Sequence, residues 1–143
     1  MIVLDTNVIS ELSRDKPDAN VLSWVDSRPP DRFLTTSISV MEMRFGLAIM
    51  PAGRKRTELA RDLDLVFNHL FAGRVLPFDT EAAVICARIR AERRASGRPL
   101  VDIADAAIAA IALARQLPLA TRNLDDFAHL GLDLINPWDM PAS

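Results

Sequence analysis

The chain has 143 residues, half of them hydrophobic and a quarter charged, with a formal net charge of −2. That balance predicts one soluble globular domain over residues 1–143 with a sizeable core, and it excludes the overall basic field that marks many nucleic-acid binders. The single Cys86 excludes an internal disulfide, and no apolar run reaches membrane-spanning length, so the expected setting is cytoplasmic with no membrane contact.

Taken in order, Met1-Ile-Val-Leu-Asp5 predicts a short buried strand ending in a carboxylate, and it is too short for a signal-peptide core. Val8, Ile9 and Leu12 then recur at helical spacing, and Val21, Leu22 and Val25 mark a second helix that stops before Arg28-Pro-Pro30. Phe33 to Ser37 predicts another strand. Ser39-Val-Met-Glu42 has the spacing of a capping box, opening a helix that runs to Pro51-Ala-Gly53. Met41, Met43, Met50 and Phe45 are expected in the core, the alternative being an adaptable apolar groove for a partner segment. A longer helix carries Leu59, Leu63, Val66, Phe67 and Leu70 on one face and ends at Gly73. Arg74–Phe78 is strand-like, and Asp79 or Thr80 caps a helix with an arginine-rich surface. Ile103 to Ala114 is apolar nearly all round, which predicts a buried helix with Asp102 as its cap. Short strands at Leu117–Thr121 and Leu132–Ile135 flank one further turn of helix at Asn123–Phe127. Strands alternating with helices imply an α/β sandwich with a mostly parallel sheet.

Three of these strands are followed by an acid, Asp5, Glu42 or Asp126, and Asp105 stands at the mouth of the buried helix. Each acid alone has an explanation as helix-start chemistry. Independent capping does not explain why all four should fall where an open parallel sheet gathers strand ends and helix starts, on its ligand-binding edge. Converging carboxylates repel unless a cation lies among them, and a hard oxygen-liganded ion such as Mg²⁺ or Mn²⁺ answers that need. His69, His129 and Cys86 offer no zinc pattern.

Met1-Ile-Val-Leu-Asp-Thr-Asn7, Ser39-Val-Met-Glu42, Ala104-Asp-Ala-Ala-Ile-Ala109, Thr121-Arg-Asn-Leu-Asp-Asp-Phe127 and Ile135-Asn-Pro-Trp138 together resemble the PIN-domain nucleases, most closely toxins of the VapC and FitB type. The resemblance covers essentially the whole chain in the right order. It implies a PIN-like three-layer sandwich and a Mg²⁺- or Mn²⁺-dependent endoribonuclease acting as the toxin of a toxin–antitoxin pair. By motif position the family's acids fall on Asp5, Glu42, Asp105 and Asp126, with metal held by Asp5, Asp105 and Asp126. Asn7 and Thr121 match supporting polar residues, and an acid directly before Phe127 favours Asp126 over Asp125. The resemblance further implies a cognate antitoxin, a homodimer, and contact with operator DNA only through the antitoxin.

An RNA substrate must be drawn to local basic groups. Arg88, Arg90, Arg93, Arg94 and Arg98 form the densest set, and Arg54, Lys55 and Arg56 form a second; both also fit a solvated helix face. Few aromatics and no Tyr leave no evident stacking platform, and Trp24 and Trp138 are read as packing residues. A phosphoacceptor signalling domain is disfavoured because Lys16 and Lys55, the two lysines, both lie in the first half of the chain. A haloacid-type phosphatase would need an acid where Asn7 stands. The stronger rival is a PIN-like partner subunit of a DNA-binding antitoxin complex with weak or no nuclease activity.

Overall fold

In the computed structural model, which describes residues 1–100 and 102–140, the opening apolar run forms β1 (Ile2–Leu4) at the centre of a sheet. Beside it lie β2 (Phe33–Thr36), β3 (Val75–Leu76), β4 (Leu119–Ala120) and β5 (Leu134–Ile135), in the spatial order β3-β2-β1-β4-β5. Every adjacent pair is parallel, with Val3 opposite Leu34 on one side and Leu119 on the other. The strands are shorter than their apolar runs, yet the expected parallel α/β architecture is present throughout the described sheet.

The helices are α1 (Thr6–Leu12), α2 (Ala19–Asp26), α3 (Ser37–Ala48), α4 (Arg54–Val66), α5 (Thr80–Ala95), α6 (Ile103–Ala114) and α7 (Leu124–Phe127). Alternation along the strands sorts them into two layers. Val3, Leu34 and Leu119 pack toward α5 and α6, whereas Leu4, Phe33 and Ala120 pack toward α1, α2 and α4. Residues 106–112 of α6 are all buried, as its apolar composition predicts, and Ile103 alone of its first turn's large side chains faces solvent. The alanine-rich surface lets α5 lie along α6 at close range. These two helices are antiparallel: Arg115, just past the end of α6, reaches Asp79, the cap of α5, at 3.8 Å.

Two expectations about α3 are corrected. The cap is Thr36, whose hydroxyl accepts from the Ser39 amide at 3.0 Å, so Ser39 sits inside the first turn and Glu42 closes no capping box. The Met/Phe group is not core as a set. Met41, Phe45 and Ile49 form an exposed stripe one turn apart, while Met43 and Met50 pack against the α1–α2–α4 layer. The apolar period continued outward because both faces of α3 are apolar, and sequence periodicity does not say which one meets the sheet. The helix expected to end at Gly73 is α4 followed by a π-turn at Phe67–Phe71. Ala72 and Gly73 close it with φ of 45° and 83°, and the Arg74 guanidinium donates to the Leu70 carbonyl at 2.6 Å. Among the described residues no helix is long and apolar enough to cross a membrane.

The reassigned cap has a measurable consequence. Thr36→Ala should lower unfolding stability by roughly 0.5–2 kcal/mol, the usual effect of losing a cap hydroxyl. Glu42→Gln should stay within about 0.5 kcal/mol of the parent in the same urea titration. Equal losses in both variants would restore the capping-box reading.

Candidate active site

The strand order reverses at β1: the chain moves outward through β2 and β3, then returns to place β4 on the other side of β1. In open parallel sheets the crevice beyond the carboxyl ends at such a point is where ligands bind. Asp5 follows β1 directly, and Thr121 follows β4 directly.

Asp5 is 2% exposed. Its Oδ1 accepts from the Thr6 amide at 2.8 Å, which makes it the cap of α1, and its Oδ2 accepts from the Thr121 hydroxyl at 2.8 Å. Capping and convergence, weighed as alternatives from the sequence, are therefore done by the two oxygens of one carboxylate. Thr121 Oγ1 in turn accepts from the Asn7 side-chain amide at 3.4 Å and from the Asn123 backbone at 3.1 Å. Asn7 Oδ1 accepts from the Arg122 backbone at 3.4 Å. Asn7 thus ties the first turn of α1 to the loop that leads into α7, the single turn carrying Asp126.

Glu42 enters from α3. Thr6 Oγ1 donates to Glu42 Oε1 at 2.6 Å and also lies 2.9 Å from Ser39 Oγ. Thr6 has one hydroxyl proton, given to Glu42, so Ser39 donates to Thr6 and Thr36 donates onward to Ser39 at 3.3 Å. Three hydroxyls hand their protons along one line that ends on Glu42. Thr6 and Ser39 were not singled out as site residues from the sequence; the signal was the hydroxyl beside each motif acid, at Asp5-Thr6 and Ser39-x-x-Glu42.

Asp105 is in the first turn of α6, where Asp102 takes the cap by accepting from the Ala104 amide at 2.9 Å. The Asp105 carboxyl is left half-buried and, among the described residues, without a hydrogen bond. Burial first, and then the charges of Asp5, Asp102, Asp126 and Glu42, raise it to about 7. Burial, with smaller contributions from Glu42 and Asp102, raises Asp5 to about 6 against the lowering effect of the Thr121 and Thr6 bonds. The charges of Asp5, Glu42 and Asp126, joined by Asp102, therefore all act on Asp105; Asp125 does not figure among them.

The structure does not bring the five arginines together as one surface. Arg93 is used internally, donating to the carbonyls of Arg98 at 2.8 Å and Ala128 at 3.4 Å. Arg88, Arg90, Arg94 and Arg98 are exposed. In the second basic set Arg54 is paired with Glu58 at 2.9 Å and Arg56 donates to the Met50 carbonyl. Trp24 is buried as expected, and the Trp138 ring has Arg122 over it at 5.1 Å.

Among the described residues no group of three or more acidic, histidine or cysteine side chains is placed so that it could hold a metal ion. The acids feel one another but do not clasp a common point unaided. Their chemistry nevertheless fits a divalent cation: the donors are all carboxylate oxygens, and two are held in the folded chain at a raised pKa. An acid whose folded pKa is raised binds protons that the unfolded chain has already released, so the stability these two acids contribute is fully present below about pH 4 and is lost as pH climbs toward about 7. Asp105→Asn should therefore melt a few degrees above the parent at about pH 8, the difference vanishing near pH 4. Added Mg²⁺ or Mn²⁺ should raise the parent's melting temperature at about pH 8 more than the variant's. Melting curves for the two chains that run parallel across this range would contradict the crowding of these acids.

Comparisons with known proteins agree with this architecture. The family model described as PIN domain matches residues 2–132. The chain is 46% identical over 139 residues to VapC ribonuclease Y4jK of Sinorhizobium fredii, covering 97% of this chain and 99% of that one. It is 40% identical over 138 residues to Toxin FitB of Neisseria gonorrhoeae, covering 96% and 99%. The solved structure of FitAB bound to an IR36 DNA fragment superposes with a TM-score of 0.87 at 38% identity, covering 99% of this chain and 98% of that one. The chain belongs to the PIN-domain family, and its relatives are the VapC ribonucleases and FitB toxins.

Proposed function

We propose that this chain is the toxin of a toxin–antitoxin pair and a Mg²⁺- or Mn²⁺-dependent endoribonuclease. What supports the reading is that the charges of Asp5, Glu42 and Asp126 all act on Asp105, with Asp5 following the strand at which the order of the parallel sheet reverses. The names of its ribonuclease and toxin relatives support it.

Asp5, Asp105 and Asp126 would hold the cation. When bound, such an ion supplies a water of lowered pKa and positive charge against the phosphate oxygens. Thr121 and the Thr6 amide fix both oxygens of Asp5, so the carboxylate does not turn away when it is charged. Asp105 projects from a helix whose buried alanines anchor it to the sheet, which fixes its distance from Asp5. Thr6 holds Glu42 by Oε1, leaving Oε2 to take the proton of the attacking water. Asn7 and Thr121 hold the loop before Asp126.

The partners follow from the same reading: an RNA substrate, a cognate antitoxin, a second copy of this chain, and operator DNA reached through the antitoxin. The solved toxin–antitoxin complexes to which the chain is similar, FitAB bound to DNA and VapBC-5, support the antitoxin. A cytoplasmic location suits such a toxin.

The purified chain should cleave structured RNA with Mg²⁺ or Mn²⁺ and not in excess EDTA. Asp5→Asn or Asp105→Asn should remove cleavage with the fold retained, and Glu42→Gln should slow it by about 10²–10⁴-fold. Thr6→Val, which touches Glu42 alone among the acids through its side chain, should slow it by roughly 10–100-fold. Induced in cells, the parent should arrest growth and Asp5→Asn should not. Cleavage that persists in EDTA, or equal harmlessness of both forms, would overturn the reading.

A further inference from the structure

At the end of α5 lies an open hollow of about 600 Å³ lined by Arg90, Ala91, Arg94, Ala95, Pro99 and Leu100. Its size falls within the range of about 300–1,000 Å³ usual for sites that take one small organic group. Its walls are the last turns of α5 and the loop into α6. That loop is shaped by the end of α5: the Gly97 amide bonds back to the Arg94 carbonyl at 3.1 Å and the Arg98 amide to Arg93 at 2.9 Å. This double closure requires a left-handed residue at position 97, and Gly97 supplies it with φ of 74°.

Two contacts put the hollow on the side of the acids. The end of α5 lies against the start of α6, because the helices are antiparallel and Arg115 meets Asp79 at their other end. The start of α6 carries Asp102 and Asp105. Arg93, between the two arginines of the hollow, reaches across to the carbonyl of Ala128, two residues beyond Asp126.

Arg90 and Arg94 are four residues apart and so share one face of α5. Both are exposed, and among the described residues neither side chain forms an ion pair or a hydrogen bond. Between them and the loop the floor is apolar, from Ala91, Ala95, Pro99 and Leu100. A pair of unpaired guanidiniums over an apolar floor suits a group with anionic edges and a flat apolar face. An unpaired nucleotide has that form, its phosphates going to the guanidiniums and its base or ribose to the floor.

We infer that this hollow is a nucleotide subsite of the RNA substrate, in which Arg90 and Arg94 hold the phosphates flanking one unpaired nucleotide at the end of α5 that meets the start of α6. The inference rests on the nuclease reading for its substrate. It sets these two arginines apart from Arg93, which is committed to the fold, and it makes the bound RNA single-stranded at this point.

The test is binding of a fluorescently labelled, unstructured oligoribonucleotide to the Asp105→Asn chain across a series of salt concentrations, so that the result does not depend on cleavage. Arg90→Ala/Arg94→Ala in that background should weaken binding tenfold or more and reduce the slope of log affinity against log salt by about 1.4, the value for two lost single-strand phosphate contacts. Arg90→Lys/Arg94→Lys should keep most of that slope. Arg32→Ala/Arg61→Ala removes the same charge from exposed sites elsewhere, and it should change the slope far less. Equal effects of the two alanine pairs would overturn the subsite in favour of a general field. Unchanged RNA affinity with lost binding to polyglutamate would overturn it in favour of an acidic protein segment. Separately, cleavage by the arginine-intact parent tests the nuclease reading, so a failure of one is visible apart from the other.

Discussion

The structure depends on a buried carboxylate held without a cation. Asp5 follows the central strand, and its two oxygens are taken by a backbone amide and a threonine hydroxyl. Neutral donors of this kind fix a carboxylate's position while leaving its charge unmatched. Among the described residues no Arg or Lys pairs with Asp5, Glu42, Asp105 or Asp126. A guanidinium there would relieve the repulsion between them. The hydroxyl line Thr36–Ser39–Thr6 does for Glu42 what Thr121 does for Asp5.

Holding repelling charges together needs a rigid frame, and the rest of the molecule supplies it. Asp105 is carried on α6, whose buried middle is packed between the sheet and α5. Asp5 directly follows the strand with a parallel neighbour on each side, and its amide donates to the Ala120 carbonyl at 2.9 Å. Asp126 rides on a single helical turn, the least supported of the four, and Asn7 and Thr121 compensate by bonding to the loop that precedes it.

Much of this was legible in the sequence, for physical reasons that differ by element. The all-apolar run of 103–114 left a helix nowhere to go but inside, and the run Ile2–Leu4 broken by Asp5 marked a buried strand with an acid at its end. The acids' convergence was inferable because parallel topology gathers strand ends and helix starts on one edge. What failed was local. Ser39 and Glu42 have capping-box spacing, but the chain begins its helix earlier at Thr36, and spacing alone does not locate a cap. Met41, Phe45 and Ile49 kept helical period yet face solvent, because periodicity identifies a face and not its neighbour. The hydroxyls of Thr6 and Ser39 were signalled only by their closeness in sequence to motif acids, a feature that ordinary first-turn residues share.

The central claim, that these acids crowd one another and await a cation, is tested most directly by following side-chain carboxyl carbons by NMR through a pH titration, with and without Mg²⁺. The account predicts that Asp5 and Asp105 titrate near 6 and 7 and that the ion moves both midpoints down. Carboxyls that all titrate at ordinary values and ignore Mg²⁺ would contradict it.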